Sequence, residues 1–409
     1  MGRPLEGIRV LELTTFVAAP VTGRLLSDLG AEVIKIEPPA GDPWRLTGIS
    51  YGPSRFSHDE NPVFDIYNAG KKLISVNLKT EEGNAIFHRL LSQSDIFLTN
   101  NREAALRRLH VSYEDLKEQY PAMIFAQVTG FGEKGPDKDT PAFDTTAFWS
   151  RSGFLADMSM IQDDGSYAPV YPPSGVGDTV TAYLLLSEIL AALYERKTTG
   201  RGQRVEACLY HTGIFTMGTM QIQSQRPFGK VYPMRRMYHS TPGGLYKCSD
   251  GEYIFIATGL VERLMRQLSQ AIGRPELAED PRFATQEARM AHREELYGIF
   301  KEAFLERPSD EWLQKAKEID FAAVKVTHFA DLSEDEQAIE NGFVEDVTFR
   351  SGHTDKMPRA PFHMETLPEL RTVPAPRCGG DTKAVLSEFG YSEEEIARLV
   401  SDGVLKTAD

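Results

Sequence analysis

Leu29-Gly30-Ala31-Glu32-Val33-Ile34-Lys35-Ile36-Glu37, read with the segment from Ile8 to Leu13 before it, decides the fold. Ile8, Val10, Leu11 and Leu13 make a short apolar run, which predicts a strand. Leu25, Leu26 and Leu29 recur at helical spacing over residues 20–29. Pro20 suits the first turn of that helix, and Gly30 suits its end. Val33-Ile34-Lys35-Ile36 predicts the next strand, so strand, helix and strand fit into fewer than thirty residues.

The alternation continues. A helix is predicted near Glu81–Leu91, a strand at Ile96–Thr99, a helix near Tyr113–Gln119 and a strand at Met123–Val128. Such alternation implies a parallel sheet covered on both faces. A long apolar helix is expected from Thr179 to Lys197, then a strand at Arg204–Leu209. Residues 224–244 are rich in Pro, Arg and Gly and mark a boundary. Tyr253–Ala257 predicts a strand, and helices are predicted near Val261–Ile272, Arg293–Phe304 and Ser309–Ala316. The last segment reads as helical at both ends around a Pro-rich extended stretch, Pro358 to Pro376. The expected fold class is α/β: a Rossmann-like parallel-sheet large domain (1–224), a smaller α/β domain (225–330) and a C-terminal segment (331–409) that returns to the large domain.

A chain of 409 residues, 41% apolar and 25% charged, can bury a sizeable core unaided. Cys208, Cys248 and Cys378 are far apart and lack metal or disulfide spacing, which suits a reducing compartment. No run of about 18 apolar residues predicts a membrane span, and no apolar signal core follows Met1, so the cytoplasm is the expected location. A net charge of −14 disfavours nucleic acid and anionic lipid as partners. An anionic ligand then needs a local basic cluster. Candidates are Lys71, Lys72, Lys79, Arg102, Arg107 and Arg108; each is equally readable as a solvated surface charge.

The chemistry centres on Gly175-Val176-Gly177-Asp178. An aspartate here could simply cap the helix. Alternatively, the glycines leave room for a bulky electrophile, and the helix N-terminus keeps the carboxylate ionised at neutral pH for nucleophilic attack. The glycines are too few for a dinucleotide fingerprint, and the Thr14–Pro20 turn has none, so neither nicotinamide nor flavin is expected. Among the nine histidines, His211 and His239 included, no metal spacing occurs, and no metal is expected. Gly243-Gly244 is either a plain turn or a mobile flap.

These residues resemble the class III (CaiB/BaiF-type) CoA-transferase family over essentially the whole chain. The specific pieces are Gly30 to Glu37 with Gly41-Asp42-Pro43-Trp44-Arg45, Asn77-Leu78-Lys79-Thr80, the turn ending in Asp178, and Thr198 to Gln203. Asp381-Thr382 to Leu386, with Gly390-Tyr391-Ser392, resembles the family's C-terminal pattern. Asp59 to Pro62, Gly132 to Asp139, Tyr210-His211-Thr212 and Met217 to Met220 look most like the 2-hydroxyacyl and cinnamoyl-CoA:phenyllactate branch.

The resemblance implies CoA transfer from an acyl-CoA to a free carboxylic acid, a 2-hydroxy or aryl/enoyl acid, with Asp178 as catalytic nucleophile. It implies an aspartyl anhydride and then an aspartyl-CoA thioester. Coenzyme A is the implied co-substrate. Val17 and Ala18 would lie at its thiol end, and Val76, Lys79, Asn100, Asn101, Arg102 and Arg108 along its length. Phe143 and Asp144 would stand near the nucleophile, and Gly243 and Gly244 would form the flap. An interlocked homodimer is also implied. Some members carry glutamine where Val17 stands, which points here to a larger apolar acid rather than a dicarboxylate. The family's racemases use a histidine about thirty residues before the aspartate; this chain has none between His110 and His211. A racemase or epimerase, and a non-catalytic CoA-binding subunit, are the rival readings.

Overall fold

The computed structural model describes every residue except 1, 48–59, 160, 162–164, 168, 170, 227, 230, 233–241, 366, 370 and 409. Asp59 and His239 therefore lie outside the described residues. The chain divides into two compact units. The first holds residues 1–158, 169–232 and 336–409, and the second holds 159–168 and 233–335.

The first unit opens with β1 (Arg9–Leu13), α1 (Ala18–Asp28), β2 (Glu32–Glu37), α2 (Pro62–Asn68), β3 (Lys72–Val76), α3 (Glu81–Leu91) and β4 (Ile96–Thr99). It continues with α4 (Glu103–Arg108), α5 (Tyr113–Leu116), β5 (Ile124–Thr129), a π-helical stretch at Asp144–Ser150, α6 (Phe154–Asp157), α7 (Val176–Thr199), β6 (Arg204–Cys208), α8 (Leu209–Thr216) and α9 (Gly218–Ser224). The second unit has a three-stranded antiparallel sheet, β7 (Gly244–Lys247), β8 (Tyr253–Ile256) and β9 (Ala323–Lys325). Its helices are α10 (Val261–Ala271), α11 (Gln286–Ala291), α12 (Arg293–Phe304) and α13 (Ser309–Ile319), packed on their own core around Tyr246, Phe300 and Trp312. The chain then returns to the first unit with α14 (Glu336–Glu340), a hairpin of β10 (Val344–Thr348) and β11 (Thr354–Pro358), α15 (Thr382–Glu388), α16 (Glu393–Ser401) and β12 (Leu405–Lys406).

The main sheet runs β12-β3-β2-β1-β4-β5-β6. All pairings are parallel except that of the edge strand β12 with β3. Strand alternation fills both faces. Val10, Val33, Ile96 and Ile124 join the core under α1 and α7, while Leu11, Ile34, Phe97 and Phe125 join the core under α3, α15 and α16. Strands buried on both sides therefore read as continuous apolar runs.

Helix α7 is long and apolar enough to match a membrane span by length and composition. In the fold it is a central helix instead, packed on α1, β5 and β6, with Ala182, Leu185, Leu186 and Ile189 in the core.

Candidate active site

The strand order sets where a ligand can lie. The chain leaves β1 for β2 and β3 on one side, then crosses to β4 on the other. The loops after β1 and β4 consequently diverge and leave a crevice at the carboxyl ends of the strands. A cavity of about 420 Å³ occupies it, lined by Thr15 to Ala18, Asn100 to Arg102, Arg108, Val128 to Gly130, Phe143 and Asp178. A second hollow of about 800 Å³ adjoins it along Leu78 to Glu81 and shares Arg108.

Asp178 stands in the first turn of α7, half-buried. The cap of that helix is Gly175, held at φ +90, and no side chain of α7 caps it. Among the described residues, no hydrogen bond reaches the Asp178 carboxylate. Asp144 takes the anchoring duty. It is buried, and its Oδ2 accepts a 2.7 Å hydrogen bond from the Gly175 N–H. Gly177 makes this approach possible: a Cβ there would lie 2.1 Å from Phe148 Cγ and 2.3 Å from Asp144 Oδ1.

Burial and the nearby charge of Asp144 push the Asp178 pKa up to about 7. This corrects the expectation that the helix N-terminus keeps the carboxylate fully ionised at neutral pH. Burial and the Asp144 charge both oppose ionisation, and among the described residues no donor reaches the carboxylate itself. Burial also raises the Asp144 pKa, against the N–H groups of Gly175, Gly177 and Asp178 and the Trp149 indole.

The loop after β1 is built from a buried charge network. Lys35 Nζ lies 2.8 Å from Asp42 and 3.5 Å from Glu12, and Lys71 lies 2.9 Å from Glu12. Arg45 grips Glu37 with two 2.8 Å hydrogen bonds. All six side chains are buried. Burial opposes the Lys35 charge, but Asp42, Glu12 and Glu37 together hold its pKa above the ordinary lysine value. Asp42 Oδ1 in turn accepts from the N–H groups of Phe16 (3.2 Å) and Trp44 (2.9 Å). Phe16 is held left-handed at φ +64, a strained state for a phenylalanine. Its ring meets Phe143 edge-on at 5.4 Å and Trp44 at 6.2 Å. Asn100 clamps the same loop, donating to Thr15 O (2.7 Å) and accepting from Thr15 N–H (3.0 Å); Asn101 donates to Leu13 O (2.9 Å).

The residues read from sequence thus separate by where the structure places them. Val17, Ala18, Asn100, Asn101, Arg102, Arg108 and Phe143 line the cavity with Asp178, and Lys79 lines the adjoining hollow. Asp144 lies behind Asp178, bonded to backbone. Val76 is 1% exposed, and its side chain belongs to the core, because β3 is covered by β12 and α15. Of the basic candidates, Lys71 is wholly inside the network, Lys72 pairs with Glu32 and Glu388, and Arg107 pairs with Glu103 at 2.7 Å. Gly243 and Gly244 belong to the second unit. A Cβ on Gly243 would meet Thr258 Oγ1 at 2.2 Å, and Gly244, at φ +141, opens β7 opposite Ile256 of β8.

Sequence reasoning missed Phe16, Trp44 and Tyr67. Phe16 carries no sequence mark of its left-handed backbone, and Tyr67 lies on α2, more than a hundred residues from Asp178. Trp44 stood inside a quoted motif without a role.

The parallel-dominated sheet thus holds a desolvated carboxylate at its switch point, in a crevice that Arg102 and Arg108 also line. The profile of CoA-transferase family III matches residues 5–382. The chain belongs to that family, and it is a CoA-transferase with CoA thioesters as co-substrates. It is 39% identical over 405 residues to the (R)-2-hydroxy-4-methylpentanoate CoA-transferase of Clostridioides difficile, covering 98% of this chain and 99% of that one. It is 38% identical to the cinnamoyl-CoA:phenyllactate CoA-transferase of Clostridium sporogenes, covering 97% and 96%. The crystal structure of a CAIB/BAIF family protein from Brucella suis matches with a TM-score of 0.81 at 27% identity, over 95% of this chain and 100% of that one.

Proposed function

We propose that this CoA-transferase passes CoA to a 2-hydroxy or aryl/enoyl carboxylic acid, with Asp178 as the nucleophile. One observation carries the reading: a carboxylate that no hydrogen-bond donor among the described residues reaches stands in the wall of the cavity at the strand ends. Such a carboxylate is a better nucleophile than a solvated one.

Asp178 attacks the thioester carbonyl of the donor, and the C–S bond breaks. This yields an acyl-aspartyl anhydride and a CoA thiolate. The thiolate attacks the aspartyl carbonyl, releases the donor acid as its carboxylate and leaves an aspartyl-CoA thioester. The acceptor carboxylate attacks that thioester and frees the thiolate again. The thiolate then takes the acceptor's acyl carbon, and Asp178 returns as a free carboxylate. No net proton is gained or lost. Lys79, Arg102 and Arg108 provide charge for the CoA phosphates. Phe16 and Phe143 give an apolar wall for a branched or aryl acyl group, in keeping with the substrates named for the two clostridial relatives.

A homodimer is part of the proposal. Val180, Tyr183, Leu184, Leu190 and Tyr194 leave an apolar outer face on α7 that a second copy would cover.

The test is an exchange screen between pooled CoA esters and pooled acids, read by mass spectrometry. The expected result is movement of CoA onto phenyllactate- or 2-hydroxy-4-methylpentanoate-type acids. Solvent deuterium entering the α-carbon without any acceptor acid would establish the racemase reading. Tight acyl-CoA binding with no exchange would establish a binding subunit.

A further inference from the structure

Tyr67 brings a phenol hydroxyl into the corner beside the turn that carries Asp178. A Cβ built on Gly175 would lie 3.1 Å from the Tyr67 hydroxyl and 3.8 Å from Val17 Cγ1. Gly175 caps the helix whose first turn carries Asp178, and Val17 lines the cavity with it. The phenol, Val17 and the nucleophile's turn therefore share one corner. The Tyr67 ring packs on Trp44 at 6.1 Å, and Trp44 packs on Phe16 at 6.2 Å. Aromatic and aliphatic groups thus stand around the Tyr67 hydroxyl.

That hydroxyl makes no hydrogen bond among the described residues, although the side chain is half-buried. A phenol in such a place loses water contacts, and the loss is recovered when a ligand supplies an acceptor. Burial and the charges of Asp178 and Asp144 raise its pKa above the ordinary tyrosine value, so it stays protonated as a donor. The 2-position of the acyl group is one bond from the carbonyl carbon that Asp178 attacks. A donor seated beside the nucleophile's turn, and not on its carboxylate, suits an oxygen at that position.

We propose that Tyr67 is a specificity-determining residue whose O–H donates a hydrogen bond to the 2-hydroxyl oxygen of the acyl group. This rests on Asp178 as the nucleophile and names the feature of the acid that the site selects. A site built to hydrogen-bond a hydroxyl discriminates against the analogue lacking it far more strongly than an apolar pocket separates shapes.

The experiment compares wild type with Tyr67→Phe, which removes one oxygen and keeps the ring against Trp44. kcat/KM is measured for 2-hydroxy-4-methylpentanoate against 4-methylpentanoate, and for phenyllactate against 3-phenylpropanoate. The expected result is a loss of roughly 10- to 100-fold for the hydroxy acids and a change under about threefold for the deoxy acids. Equal losses for both members of a pair would assign the phenol to the reacting carbonyl or to packing, and would overturn the proposal. No loss for either would also overturn it. Hydroxylamine trapping at Asp178 is run on both proteins. Trapping retained in both keeps the nucleophile intact whatever the selectivity shows, whereas absence of trapping in wild type strikes the nucleophile reading itself.

Discussion

Two aspartates at one helix start do different work because their surroundings differ. Asp144 is sealed behind the turn and is bonded to the Gly175 N–H, so it fixes the backbone. Asp178 is left in the cavity wall without a donor among the described residues, and its pKa rises to about 7. With Asp178 as the proposed nucleophile, the carboxylate is the reactive form, so kcat/KM is expected to climb as pH rises through about 7 and to level above it. The same shift has a consequence for stability. The unfolded chain ionises Asp178 near its ordinary value of 3.8, whereas the folded protein resists ionisation until about 7. The cost of the folded anion therefore accumulates between those values and is complete above the upper one. Asp178→Asn is expected to be inactive yet more stable than wild type at pH 8, by about 1–2 kcal/mol after solvent screening of a half-exposed group. Thermal melts from pH 5 to 8 check this. A gain that shrinks as pH rises would contradict the assignment.

At the scale of elements, the decisive piece is the loop between β1 and α1. Its strained Phe16 is held because Asp42 takes its N–H, and Asp42 is held because Lys35 neutralises it inside the core. Lys35→Met leaves Asp42 and Glu12 buried short of a partner. The expected cost is about 3–5 kcal/mol, with activity lost even where the protein still folds, because the Phe16–Val17 wall is no longer fixed. Chemical denaturation together with exchange kinetics measures both effects; a variant with wild-type stability would show that the network is not needed.

This network also shows what the sequence disclosed and what it hid. The apolar periods of β1, β2, β4 and β5 were legible, since each strand sits between two cores. Strand β3 was not read, because Lys71 and Lys72 at its start look like surface charges. Lys71 is in fact enclosed by Glu12, Asn68 and Pro20 O. Pairing across dozens of residues decides the fate of such a charge, and local composition does not reveal it. The same limit applies at the site. Asp178 could be picked out from its glycine turn. The helix-anchoring role of Asp144 depends on a contact across 31 residues, and Tyr67 reaches the corner only through the packing of α2.

For the molecule as a whole, the chain's last segment completes the first unit. β12 covers the edge of β3, and α15 and α16 close one face of the sheet. The crevice at the switch point therefore stands on a sheet whose two faces are both filled, a rigid base for the proposed reaction, whose intermediates would have to be kept from water. The account as a whole rests on a covalent bond forming at one side chain. The most direct measurement incubates the enzyme with acyl-CoA, quenches with hydroxylamine or borohydride and maps the peptides by mass spectrometry. The account predicts modification of Asp178, in wild type and not in Asp178→Asn. An enzyme that turns over while the Asp178 peptide stays unmodified, or that carries the label elsewhere, would contradict it.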